Sequence, residues 1–170
     1  MADVVFVVLL ILHIAFIAIW AGAATLFSSI VAPALQKISP SSRAEFVIEI
    51  LPRYTRFIVG TATGAIVVGV ILYGYIIRVA TSYAPSSSGL PFIEAGAVSG
   101  LIAYAIAVGV VYPTANKLVS KLKMMPKPAK AGDPSVLEVA RLQNRLRAGA
   151  GSAAGILALT LVLMVVGASI

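Results

Sequence analysis

Cysteine is missing from this chain, histidine occurs once, at His13, and acidic residues number only six among 170. Without cysteine there are no disulfides, no thiol catalysis and no thiolate-held metal. A single histidine excludes a zinc centre built from several imidazoles of one protomer. None of the six acids (Asp3, Glu45, Glu49, Glu94, Asp133, Glu138) falls at the centre of an apolar run. That argues against a proton-driven transporter with a carboxylate at the bilayer midplane. No Ser-His-Asp set, nucleotide loop or carboxylate pair lies inside these runs, so no catalytic residue is assigned.

Charge of either sign is scarce. Charged residues make up 11% of the chain, hydrophobic ones 60%, and the mean hydropathy is +1.03. A soluble domain carries about 25% charged residues, so this composition belongs to the membrane class. What charge there is has a pattern. Twelve of the thirteen Lys and Arg residues fall within 37–56 and 117–147, and only Arg78 lies elsewhere. Around these stretches lie four apolar runs, at about 4–31, 56–77, 92–115 and 148–168. Each reaches the roughly 20 residues needed to cross a bilayer.

The expected fold is therefore all-α: a four-helix integral membrane bundle, one domain over 1–170, in the cell membrane. The loops 32–55 and 116–147 are cytoplasmic by the positive-inside rule, and both termini lie outside. The net charge of +7 then reports orientation and contact with anionic lipid headgroups, not nucleic acid. The opening Met-Ala-Asp is acidic and the apolar run continues past any plausible cleavage point, so this is a span and not a signal peptide.

Punctuation residues divide the rest. Ser41 or Ser42 is expected to cap a short amphipathic helix ending near Pro52, with Phe46, Val47, Ile50 and Leu51 on one face. Thr81–Pro91 is a Ser/Pro/Gly loop. Span 3 continues as a helix through Lys117, Lys121 and Lys123. Met125–Pro134 interrupts it, and Asp133-Pro134 is a helix start leading through Arg141, Arg145 and Arg147 into span 4. Three G-x-x-x-G patterns, Gly60/Gly64, Gly96/Gly100 and Gly151/Gly155, allow close helix packing, a homodimer seam or approach to a flat cofactor. No sequence match between spans 1–2 and spans 3–4 marks a duplicated unit.

His13 stands about 13 Å below the outer edge of span 1 at 1.5 Å per residue. An ionisable residue at that depth is a functional candidate. A neutral imidazole can ligate haem iron or another metal, relay a proton or bond across helices. Phe16 and Trp20 share its helical face. Haem b commonly takes a second axial ligand, and no second histidine exists. Met164 and Tyr104 lie within about 5 Å of the His13 level. Five-coordinate haem, or pairing of His13 with its copy in a dimer, are the other arrangements. Arg78 can pair with Glu94, snorkel to headgroups or neutralise a propionate. Arg53, Tyr54 and Arg56 can do the same for a propionate or a quinone headgroup on the inner side, or serve there as positive-inside anchors.

Leu12–Leu35 (LHIAFIAIWAGAATLFSSIVAPAL) resembles the first span of the CopD (copper resistance D) superfamily, with its Leu-His pair, following Trp and Pro-Ala-Leu exit. The similarity extends to Arg53–Gly74 and Arg141–Gly167. The HemJ-type protoporphyrinogen oxidases share this His-containing opening, and Pro52-Arg53-Tyr54 resembles uncharacterised four-span proteins. The resemblance implies haem b at His13, the one residue that maps onto a HemJ functional position, and a role in electron transfer or haem handling; spacing and depth put Trp20, Tyr104, Met164 and Arg78 forward as its surroundings. The HemJ pattern also uses a lysine in a later span. Span 3 has none before Lys117, so that oxidase activity is not implied. The alternatives are a cofactor-free structural or assembly subunit of a larger membrane complex, a homo-oligomer, or a metal or small-solute permease.

Overall fold

A computed structural model describes residues 3–125 and 134–170. It consists of four long helices, α1 (Val4–Leu35), α2 (Pro40–Arg78), α3 (Leu90–Met124) and α4 (Pro134–Ser169), each apolar enough over its central part to cross a membrane. The longest has 39 residues, or about 58 Å at 1.5 Å per residue. The hydrocarbon core of a bilayer is about 30 Å thick, so the basic ends of the helices stand clear of it. The chain is thus a multi-pass, all-helical membrane protein. The Asp133 cap lies outside the described residues.

The helix ends follow from local chemistry. Asp3 caps α1, its carboxylate accepting from the Val5 and Phe6 amides at 3.0 and 3.2 Å. The same carboxylate accepts from the Tyr75 hydroxyl at 2.8 Å, which ties the start of α1 to the end of α2. Ser39 caps α2 through the Ser42 amide, with Pro40 as the first helical residue. Arg43 closes the other side of this turn, donating to the carbonyls of Leu35, Gln36 and Ile38 at the exposed end of α1.

One expectation changes here. The cap is Ser39 rather than Ser41 or Ser42, and the helix does not end at Pro52 but runs on unbroken into span 2. A proline inside a helix deletes one hydrogen bond. Packing outweighs that loss. Val47 and Leu51 are buried with Ala115, Leu118, Val119 and Leu122 of α3 and Val139 and Leu146 of α4. The inward stripe is therefore Val47 and Leu51, while Ile50 faces outward.

Span 1 and span 3 each contain a π-helical segment, Phe27–Val31 and Ala107–Val111. Each lies just before a proline, Pro33 and Pro113. Proline supplies no N–H and crowds the carbonyl four residues back. The wider turn relieves this: the Ala32 amide reaches the Phe27 carbonyl, and the Tyr112 amide reaches that of Ala107. With these turns as register marks, Ile30–Lys37 (IVAPALQK) aligns with Val110–Lys117 (VVYPTANK). Arg56–Ile66 (RFIVGTATGAI) likewise aligns with Arg147–Leu157 (RAGAGSAAGIL). The two hairpins are built alike, a correspondence that the apolar spacing alone had hidden.

α1 packs along α2, and α3 along α4. The pairs meet closely between α2 and α3, where Ala62 and Ala103 are fully buried, and touch less between α1 and α4. Gly64 is covered by Phe16, Gly96 by Met164 and Gly100 by Thr160, whereas Gly60, Gly151 and Gly155 have open space where a Cβ would stand. Among the described residues, the glycine patterns are thus used for packing only in part.

Candidate functional site

His13 lies between α1 and α2. Its Nδ1 is 3.0 Å from the Ala65 carbonyl oxygen. That oxygen can only accept, so Nδ1 carries the proton and Nε2 keeps its lone pair. The ring sits on Gly69, where a Cβ would lie 2.6 Å from its Cε1. Glycine one turn beyond Ala65 leaves that carbonyl uncovered, so the imidazole reaches it. Phe16 fills the equivalent space over Gly64 one turn further along the interface.

The other residues expected around haem do not gather on this ring. Tyr104 joins its hydroxyl to Thr63 Oγ1 at 3.0 Å, across the α2–α3 contact. Met164 lies against Gly96, inside the α3–α4 pair. Arg78 is exposed at the end of α2 and has no partner among the described residues. Glu94 instead accepts from the Tyr73 hydroxyl at 3.3 Å. His13 therefore offers one ligating nitrogen in the right tautomer. The flat surfaces that could cradle a porphyrin, Gly64 and Gly69, are already covered by Phe16 and His13 itself. The five residues expected around haem b therefore do not form one site in this packing. Among the described residues no group of three or more His, Cys, Asp or Glu could hold a metal ion.

The space in this bundle lies elsewhere. A cavity of about 570 Å³ opens among all four helices toward the basic end. Both π segments border it, through Phe27 and Ser28 on one side and Ala107 and Val111 on the other. π turns recur at functional sites because they displace side chains and free backbone groups. Here the Tyr54 hydroxyl donates to the Ala23 carbonyl at 3.1 Å, one turn before the Phe27 segment. The Tyr54 ring stacks on Phe27 with centroids 4.4 Å apart.

The cavity is polar at its mouth and apolar in depth. Arg43, Gln36, Gln143, Asn144 and Arg147 stand at the mouth. Arg43 is occupied by the α1 carbonyls, whereas Arg147 has no hydrogen-bond or ion-pair partner among the described residues. Leu51, Ile58 and Ala107 line the walls, and Trp20 forms the roof. Trp20 is 2% exposed and belongs to one buried cluster with Ile58, Ala62, Ala65, Ala103 and Leu157. Its indole N–H has no hydrogen-bond partner among the described residues. No enclosed polar side-chain atom among them lacks a partner, so this nitrogen is not itself sealed off, and the Trp20 side chain lines the cavity.

The sequence reading pointed to the opposite end of the bundle. It found Trp20 but treated Tyr54 as an anchor and the inner arginines as an orientation label. The available signals were Pro33 and Pro113 inside apolar runs, and the amides Gln143-Asn144 beside Arg147. Comparison with family models, curated proteins and solved structures finds no match to this chain.

Proposed function

We propose that this membrane protein binds an acidic amphiphile, holding one apolar chain in the cavity and the anionic head at Arg147. The observation that supports this most is the cavity's gradient, from an unpaired guanidinium and two amides at the mouth to aliphatic and aromatic walls. Its volume falls in the range of about 300–1,000 Å³ typical of small-molecule sites. An apolar chain gains little by leaving lipid for such a space. Affinity comes from the head, through a charge-assisted hydrogen bond to Arg147, and from an acceptor oxygen or a water at the Trp20 N–H. By the positive-inside rule this mouth opens at the cytoplasmic leaflet, where anionic lipids collect.

Trp20 is the only tryptophan in the chain, so its fluorescence reports the cavity without added labels. The protein is reconstituted with brominated-chain phosphatidic acid or brominated-chain phosphatidylcholine at equal mole fraction. Stronger quenching by the acidic lipid is expected. Arg147→Gln should weaken that preference at least about tenfold, the worth of a charge-assisted bond of roughly 1.5–3 kcal/mol. Equal quenching by both lipids in the wild-type protein would refute the reading.

A further inference from the structure

We infer that the ligand reaches the cavity sideways from the bilayer, through the seam between α1 and α4. This rests on the amphiphile reading above and adds a route to it. The two hairpins are built alike, so the α2–α3 seam and the α4–α1 seam are equivalent positions in the bundle. They differ in closure. Across α2–α3, Ala62 and Ala103 are sealed and Tyr104 bonds Thr63. Across α4–α1 the helices touch less: Trp20 and Leu157 share a buried cluster at the roof, and the Phe27–Val31 turn meets α4 below it. Below them the cavity is bordered by small side chains, Ala24, Ser28 and Ala32 on α1 and Ala150 and Gly151 on α4. Gly151 and, one turn further along, Gly155 have nothing within 4 Å of a Cβ position.

The height of this gap matters. Arg147 is the last charged residue before the apolar part of α4, so it marks the headgroup level. Gly151 lies one turn into the hydrocarbon, about 6 Å deeper. A lipid can therefore pass its chain through the gap while its head stays among the headgroups and slides to Arg147. It never has to enter water, which would expose its whole chain. Above the gap, Trp20 lines the same cavity, and its N–H has no partner among the described residues.

The test is kinetic. Dibromostearic acid is mixed with purified protein in detergent, and quenching of Trp20 is followed by stopped flow. Gly151→Phe puts a ring into the gap and should slow the quenching phase about tenfold. Gly109→Phe is the control, since Gly109 also has open space around it but lies outside the cavity lining. It should match the wild-type rate. Ser28→Phe blocks the same gap from α1 and serves if Gly151→Phe does not yield folded protein. Wild-type rates in both gap variants would overturn the side route and leave binding intact. No quenching of the wild-type protein by dibromostearic acid would instead overturn the binding reading itself.

Discussion

Replacing Gly69 by alanine places a methyl carbon 2.6 Å from His13 Cε1 and 3.0 Å from its Nδ1. Carbon atoms in contact sit about 3.5–4.0 Å apart, so the imidazole must withdraw by about 1 Å. That movement strains or breaks the 3.0 Å bond to the Ala65 carbonyl. Overpacking of this kind costs about 1–3 kcal/mol, and the lost bond a further 0.5–1.5 or so. Alanine returns up to about 1 kcal/mol by its better helix propensity. The net expectation for Gly69→Ala is a loss of about 1–3 kcal/mol. In a His13→Ala background the obstacle is gone and the propensity gain remains, so the same substitution should stabilise by up to about 1 kcal/mol. Reversible unfolding in mixed SDS and dodecylmaltoside micelles, followed by far-UV circular dichroism, measures all four members of the cycle. A change of sign supports His13 as the clamp between α1 and α2. Equal effects of Gly69→Ala in both backgrounds would refute the packing argument.

Two further outcomes are expected. After haem-replete expression the purified protein should show no Soret band, and His13→Ala should leave its absorbance unchanged; a band lost in that variant would restore the haem reading of His13. The Tyr75 hydroxyl, with the Phe6 and Val5 amides, holds the exposed Asp3 carboxyl below its ordinary value of 3.8. Such a group stabilises the fold above its unfolded pKa and loses that contribution as pH falls through the lower folded value. Stability should thus be insensitive to this tie from pH 5 upward, about one unit above the ordinary value, and Asp3→Asn should match the wild type only in strong acid.

The spans were legible because lipid imposes one rule, long apolar runs with charges at their ends, and this chain follows it closely. The helices exceed the apolar runs, to Leu35 in α1 and back to Pro40 in α2, because packing at the basic end extends them beyond the lipid. Continuity through Pro52 was not legible. It depends on Val47 and Leu51 meeting partners some 70 residues away in the chain. His13 was expected to ligate a metal, relay a proton or bond across helices; its partner here is a backbone carbonyl exposed by a glycine, and backbone acceptors leave no mark in a sequence. The cavity was hidden for a similar reason. Its apolar walls read as ordinary span, and its arginines read as ordinary topology signals. Only its place on the border of the cavity, visible in three dimensions, separates Arg147 from Arg141 and Arg145.

The two π segments also act as phase shifters. Each turn holds one residue more than an α-helical turn would, which rotates everything after it by about 100° about the helix axis. On α3 this sets the direction of Ala115, Leu118 and Leu122, the stripe that meets Val47 and Leu51. Deleting a single residue between Ala107 and Val111 would turn that stripe away from α2, together with Val111, which packs against the same cluster. The angular agreement between the lipid-embedded part of this bundle and its basic end is set by one extra residue in each of two helices.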